Sequence, residues 1–237
     1  MSTPDDPAHG QEAIWEYLQN EGKDWFDGAE DRLAFLVKGL HPGTRVLNIG
    51  IGNGFLEAEA NRKGVQIHSL DPSERAVAGL RQRLKLGDRA QVGYSQTMPF
   101  PDSYFDAVVA SEVLEHLDDD ILDRSLNEIV RVLVPGGALI GTVPAREELA
   151  AQTIVCPCCA QRFHRWGHHQ SFTCTRMRDM LNQRFEVDHV FEKYFAPWRI
   201  LNWKGRLLCA AKSLASRAGV HGSEENIVFR AHKSQSR

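Results

Sequence analysis

Short apolar segments alternate with helix-patterned segments from residue 45 to residue 144, and the first joint between them carries three glycines. "RVLNIG" (45–50) reads as a strand and "GFLEAEANRKG" (54–64) as a helix stopped by Gly64. "VQIHSL" (65–70) is a strand, and "PSERAVAGLRQRLKLG" (72–87) a helix with Pro72 near its start and Gly87 at its end. "AQVGY" (90–94) and "FDAVVAS" (105–111) are strands. "DDDILDRSLNEIVRVL" (118–133) is a helix whose first-turn acids suit the helix dipole, and "GALIGTVP" (137–144) is the fifth strand. This rhythm implies a parallel, doubly wound α/β sheet with helices on both faces.

Helices are expected before it at 11–19 and 29–40, the second stopped by "HPG" at 41–43. After it, residues 146–173 break the rhythm. A helix (174–183), a strand (185–195), a helical segment (198–217) and a last strand (225–232) follow. The two final strands read as a hairpin-like pair at one edge, separated by the inserted helix. The whole chain, 1–237, reads as one domain, with N-terminal helices in 1–44.

Composition narrows the function classes. With 28 Lys and Arg against 31 Asp and Glu, net charge is −3, which argues against nucleic acid as a partner. The start, "MSTPDDPAHG", has no basic and no apolar stretch, so no secretory signal is expected. No apolar run nears the ~20 residues of a spanning helix. Five clustered cysteines without a signal argue against a disulfide framework, so a cytoplasmic location is expected.

"VLNIGIGNGFLE" (46–57) joins the first strand to its helix. Gly50, Gly52 and Gly54 permit unusual backbone angles and close ligand approach. The spacing is G-x-G-x-G, not the dinucleotide G-x-G-x-x-G, and Phe55 is a poor substitute for the packing glycine; this disfavours a nicotinamide oxidoreductase. Asp71 ends the second strand, where a carboxylate accepts both hydroxyls of a ribose. Asp71 is also a candidate helix N-cap, since Pro72 follows at N1.

These stretches, with "MPFPDSYFDAVVASEVLEHL" (98–117) and "EIVRVLVPGGALIGTVP" (128–144), resemble the motifs of class I S-adenosylmethionine-dependent methyltransferases over residues 40–145. The resemblance implies a Rossmann-like, seven-stranded, mostly parallel sheet and S-adenosylmethionine as cofactor. It places Gly50 and Gly52 under the methionine and ribose part, Asp71 on the ribose hydroxyls, and "YSQ" (94–96) beside the adenine. Ser111 and Glu112 would face the methionine end and the acceptor mouth. Two positions depart from the family pattern. Asn48 stands where an acid is usual, losing a charge toward the cofactor's ammonium, for which a carboxylate such as Glu112 can substitute. Tyr94 stands where an adenine-contacting Asp is frequent; it suits stacking, which leaves polar reading to Ser95 or Gln96. The acceptor is expected to be a small molecule or a glycan, methylated on oxygen. A catalytically weak, zinc-containing binding module on the same fold is the alternative that Asn48 keeps open.

The sulfonium is already a good methyl donor, so alignment and exclusion of water dominate. Glu112, Glu115 and His116 are the nearest candidates for a base. Glu112 and His116 are spaced i, i+4 and can share a helical face. The competing reading is a capped helix start with His116 packed on the sheet, and no catalytic base is assigned.

"TIVCPCCAQRFHRWGHHQSFT" (153–173) holds three of the five cysteines. Cys156, Cys159, His164 and His168 form C-x2-C-x4-H-x3-H, a donor set that suits tetrahedral Zn²⁺. Cys158 can replace either thiol at poorer spacing, and His169 can replace His168. A compact structural zinc knuckle after strand 5 is expected, since so short a polar loop cannot build a core. A redox C-x-x-C and a metal-free loop are the competing readings. Several bacterial methyltransferases of the same broad family look similar in carrying such an insertion, which implies that it shapes the acceptor site.

Residues 198–219 carry Arg199, Lys204, Arg206, Lys212 and Arg217 and no acid. Ile200, Trp203, Leu207, Leu208, Ala211 and Leu214 share one helical face. The segment reads as a helix packed on the domain, or as a basic amphipathic helix touching membrane lipid or a phosphate-bearing substrate.

Overall fold

The computed structural model describes residues 28–196, 198, 201–220, 222 and 225–235. The helix expected at 11–19, Arg199, Ile200 and the side chain of Arg217 lie outside the described residues. The elements run α1 (Glu30–Lys38), β1 (Arg45–Ile49), α2 (Phe55–Arg62), β2 (Gln66–Asp71), α3 (Glu74–Leu84), β3 (Ala90–Val92) and β4 (Phe105–Ser111). They continue α4 (Asp119–Val132), β5 (Leu133–Pro144), β6 (Thr153–Val155), β7 (Arg162–His164), α5 (Cys174–Asn182), β8 (Glu186–Lys193), α6 (Trp203–Arg217) and β9 (Asn226–His232).

The main sheet has seven strands in the order β3-β2-β1-β4-β5-β9-β8. β1 lies between β2 and β4, and the first five strands pair in parallel. Alternation along each strand divides the apolar residues between two cores. Leu47, Ile49 and Val108 pack with Leu126 and Ile129 of α4 and Leu181 of α5. Val46, Ile67 and Val109 pack with Leu36 of α1, Leu56 of α2 and Leu80 of α3.

The two last strands form the expected antiparallel pair at one end of the sheet, with α6 inserted between them in the chain. β9 lies between β5 and β8 and is antiparallel to both, so β8 is the outermost strand there. Composition fits this order: Ile227, Val228 and Phe229 of β9 are almost fully buried, whereas half of β8 is exposed, as suits an outermost strand. Helix starts differ from expectation. Ser73, not Asp71, caps α3 by accepting from the Ala76 N–H, so Pro72 lies outside the helix. Asp118 caps α4 by accepting from the Ile121 N–H.

α6 does not pack by its apolar stripe. Trp203, Leu207, Leu208 and Leu214 are all more than 60% exposed, while the opposite side docks through buried Cys209, whose Sγ lies 3.2 Å from the Tyr194 hydroxyl. Among the described residues no helix is long and apolar enough to cross a membrane.

Candidate functional site

Strand order reverses between β1 and β4, and open α/β sheets place their ligand crevice at such a point, beyond the carboxyl ends of the strands. A cavity of about 1350 Å³ opens there. It exceeds the roughly 300–1,000 Å³ of a single-ligand pocket, leaving room for two reactants. Asn48, Gly50, Gly52, Asp71, Ser95, Gln96, Ser111 and Glu112 all line it.

The glycine turn is shaped by backbone need. Gly50 has φ 81°, and a Cβ there would lie 3.0 Å from Cγ2 of Val113, which follows β4. Gly54 has φ 80° and starts α2; a Cβ there would press to 2.9 Å on Leu80 and Arg83 of α3. Gly54 thus serves the close packing that Phe55 cannot. Asp71 clamps the turn: Oδ2 accepts from the Ile51 N–H at 2.8 Å and Oδ1 from the Ser73 N–H at 2.9 Å. Its carboxylate still faces the cavity wall it helps to build.

Asn48 has a partner that the sequence did not point to. Its Nδ2 donates to the Gly50 carbonyl and, at 2.8 Å, to Glu57 Oε1, which also accepts from the Ser69 hydroxyl. Glu57 is completely buried on α2, so a carboxyl group does lie behind the turn, one residue removed from the cavity. Burial first pushes its pKa up to about 7, helped by nearby Asp71 and opposed by the bonds from Asn48 and Ser69. The folded state therefore binds this proton more tightly than the unfolded chain. The stabilisation is complete below about pH 4.5 and is lost as pH rises through 7. Glu57→Gln is expected to flatten this decline: its stability relative to wild type should rise by up to ~3 kcal/mol between pH 4 and pH 8. Urea unfolding at both pH values checks it, and parallel profiles would remove Glu57 as the titrating group.

Beyond the carboxyl end of β3, Val92 and Tyr94 are partly exposed apolar walls of the cavity. The Ser95 hydroxyl is committed to Ser125 of α4 at 2.7 Å, which leaves Gln96 as the polar side chain of that loop. Just after β4, Glu112 adopts a left-handed φ of 54°, a strained conformation of the kind found at functional sites. Its carboxylate accepts from Thr142 Oγ1 at 2.9 Å and from Asn226 Nδ2 at 3.0 Å. Thr142 donates to Glu112, so the Ser111 hydroxyl, 2.8 Å away, donates to Thr142. Arg32 of α1 reaches the same place, with NH1 3.8 Å from Glu112 Oε2, and its buried Nε has no hydrogen-bond partner among the described residues. Arg32 and Asn226 lie outside the motifs, and Glu57 and Thr142 lie inside two of them without being marked by them; only the folded sheet shows what the four touch.

Glu112 and His116 share no helical face, because Glu112 is left-handed and only Leu114–His116 form a single 3₁₀ turn. His116 is buried where this turn meets the insertion. Its Nδ1 lies 3.2 Å from the Gly167 carbonyl, and its ring stands edge-on to His168 with centroids 4.5 Å apart. Burial, then His168, drives the His116 pKa well below its usual value. The insertion is tied to this turn: the Glu115 carbonyl accepts from the N–H groups of His169 and Gln170. His169 and His116 both line the cavity.

The expected Cys156–Cys159–His164–His168 set is not gathered. β6 and β7 form a hairpin with Thr153 opposite His164 and Val155 opposite Arg162. The cysteines occupy its tip, closed by the Cys156 N–H on the Gln161 carbonyl. Three ladder pairs at about 3.3 Å per residue separate the tip from His164 at the base. The histidines instead turn to an acid. His168 Nδ1 bonds Glu147 Oε2, and His164 Nε2 lies 3.4 Å from Glu147 Oε1. Among the described residues, the groups close enough to share an ion combine histidine with glutamate, and neither includes a cysteine.

Residues 47–141 match the family described as "Methyltransferase domain". The chain is 36% identical over 117 residues to the ubiquinone/menaquinone biosynthesis C-methyltransferase of Vibrio campbellii, covering 46% of this chain and 44% of that one. It is 38% identical over 103 residues to the demethylmenaquinone methyltransferase of Beutenbergia cavernae, covering 43% and 41%. The chain thus spans less than half the length of the curated relatives it matches. Among solved structures it resembles the 1,6-didemethyltoxoflavin-N1-methyltransferase of Burkholderia thailandensis, determined with S-adenosylhomocysteine. The TM-score is 0.67 at 18% identity, over 99% of this chain and 92% of that one. It also resembles the [4+2]-cyclase SpnF, with TM-score 0.60 at 24% identity, over 86% and 81%. At these identities the likeness shows the fold alone.

Proposed function

We propose that the chain is an S-adenosylmethionine-dependent methyltransferase acting on a small-molecule or glycan-type acceptor, at an oxygen atom. One observation carries this reading: eight residues from four separate strand-end segments line one cavity at the sheet's switch point. The methyltransferase-domain match over residues 47–141 supports it.

The lining fits the cofactor's chemistry. Asp71 offers a carboxylate to two ribose hydroxyls. Glu112, fixed by Thr142 and Asn226, offers a negative charge to an ammonium, which answers the charge missing at Asn48. Arg32, whose Nε has no partner among the described residues, suits the neighbouring carboxylate. Tyr94 and Val92 suit a flat aromatic base. When bound, the cofactor supplies an activated methyl group on a sulfonium. The chain's own work is to align the acceptor and to keep water out, with His116, Leu117 and His169 walling the mouth.

The exposed stripe of α6, flanked by Lys204 and Arg206, supports contact with a membrane surface and so a lipophilic acceptor. The named relatives of quinone biosynthesis agree with that. Incubation with methyl-labelled cofactor and a cell extract tests both points. Label is expected in an extracted small molecule, and its entry into the lipid rather than the aqueous fraction bears on α6. Label that stays wholly in the cofactor across extracts would contradict the methyltransferase reading, a useful check on a fold that also houses a cyclase.

A further inference from the structure

We propose a divalent transition-metal site formed by Glu115, His116 and His168, where the insertion docks onto the turn after β4. Glu115 is completely buried, and neither of its carboxylate oxygens has a hydrogen-bond partner among the described residues. A buried carboxyl left this way is costly, and a cation between it and its neighbours offsets the cost. Its neighbours are the right ones. One ligand atom each from Glu115, His116 and His168 lie within 4.8 Å of one another. Small side-chain rotations bring such a set onto bonds of about 2.0–2.2 Å.

The tautomers also match a ligand set. The Gly167 carbonyl can only accept, so His116 Nδ1 carries the hydrogen and Nε2 the lone pair. Glu147 likewise takes the Nδ1 hydrogen of His168, which leaves Nε2 of His168 as the ligand atom. Metal-bound histidines are oriented in this manner, by a carbonyl or carboxylate on the far nitrogen. His164 is different: its Nδ1 accepts from the N–H groups of Trp166 and His168, which puts its hydrogen on Nε2, toward Glu147. Glu147 and His164 therefore form the outer shell, not the ligand set.

Two imidazoles and a carboxylate without thiolate suit Zn²⁺, Mn²⁺ or Fe²⁺ and leave coordination positions open. Of the three ligands His116 lines the cavity, which puts the site at the cavity wall. The ion's role rests on the methyl-transfer reading: it holds a hydroxyl of the acceptor and lowers its proton affinity. The hydroxyl proton passes to solvent and the oxygen forms the new O–C bond. The S–C bond breaks with its electron pair on sulfur, giving S-adenosylhomocysteine.

The test is a Co²⁺ titration of the full chain after removal of metals with chelator, followed by calorimetry and visible absorption. One equivalent is expected, with d–d bands and no thiolate-to-metal charge transfer. Glu115→Gln and His168→Gln should each weaken binding by at least about tenfold, and Glu147→Gln by about 10–100-fold through the outer shell. The Cys156→Ser/Cys159→Ser pair should leave binding unchanged, and thermal melts confirm that each variant is folded. Absence of binding, or binding that survives Glu115→Gln and vanishes with the cysteines, would overturn the site. S-adenosylhomocysteine titrated into the metal-free chain reads the methyltransferase proposal separately.

Discussion

Asp71→Ala is expected to weaken S-adenosylhomocysteine binding by about 100-fold or more. A carboxylate that accepts from two ribose hydroxyls makes two charge-assisted hydrogen bonds, each worth about 1.5–3 kcal/mol. Their loss corresponds to a factor of about 10²–10⁴ in affinity. The substitution also frees the Ile51 and Ser73 N–H groups that hold the glycine turn. A destabilisation of about 1–3 kcal/mol should accompany it, visible in a thermal melt without ligand. Asp71→Asn is the milder change. It keeps one of the two acceptors for the turn, sets its own NH2 against the other N–H and loses the charge, so affinity should fall by less than in Asp71→Ala while the melt still drops. Calorimetry reads both variants, and an affinity unchanged in Asp71→Ala would remove Asp71 from the ligand site.

Gly141→Ala is expected to be the most damaging single methyl in the described chain. Gly141 lies in β5, between Ala110 of β4 and Phe229 of β9. A Cβ there would sit 2.0 Å from the Ala110 carbonyl oxygen and 2.4 Å from the Phe229 ring. The ring can turn, but the carbonyl belongs to the central ladder and cannot. A loss above about 4 kcal/mol follows, beyond the range of ordinary substitutions. For a chain of this size that lowers Tm by roughly 8–16 °C, or leaves no soluble protein. Circular dichroism melting checks it. A shift of only a few degrees would mean that the β4–β5–β9 register is wrong, and with it the seat of Thr142 beneath Glu112.

The glycine turn and Asp71 were legible in the sequence because they lie at strand ends, and strand ends follow from apolar periodicity. Once β1, β2 and β4 are placed in parallel, their exits meet by topology, so all eight expected residues reach one cavity. The partners that tune them were not legible. Glu57 lies on the buried side of α2, and Asn226 reaches Glu112 only because β9 inserts beside β5. No local pattern marks that insertion.

The Cys/His stretch misled for the opposite reason. Closeness in sequence suggested closeness in space, but the β6–β7 ladder extends the thiols away from the imidazoles. The contacts that matter there span the chain. His116 meets Gly167 across 51 positions, and Glu147 gathers His164 and His168 from the far side of the hairpin. His164 and His168 lie beside Glu147, and no cysteine among the described residues joins them.

Titration of S-adenosylhomocysteine into the wild-type chain tests the central claim most directly. The cavity's clamped glycine turn, Asp71, Glu112 and Arg32 lead to saturable binding of one equivalent. No heat of binding up to millimolar ligand, in protein shown to be folded, would contradict it.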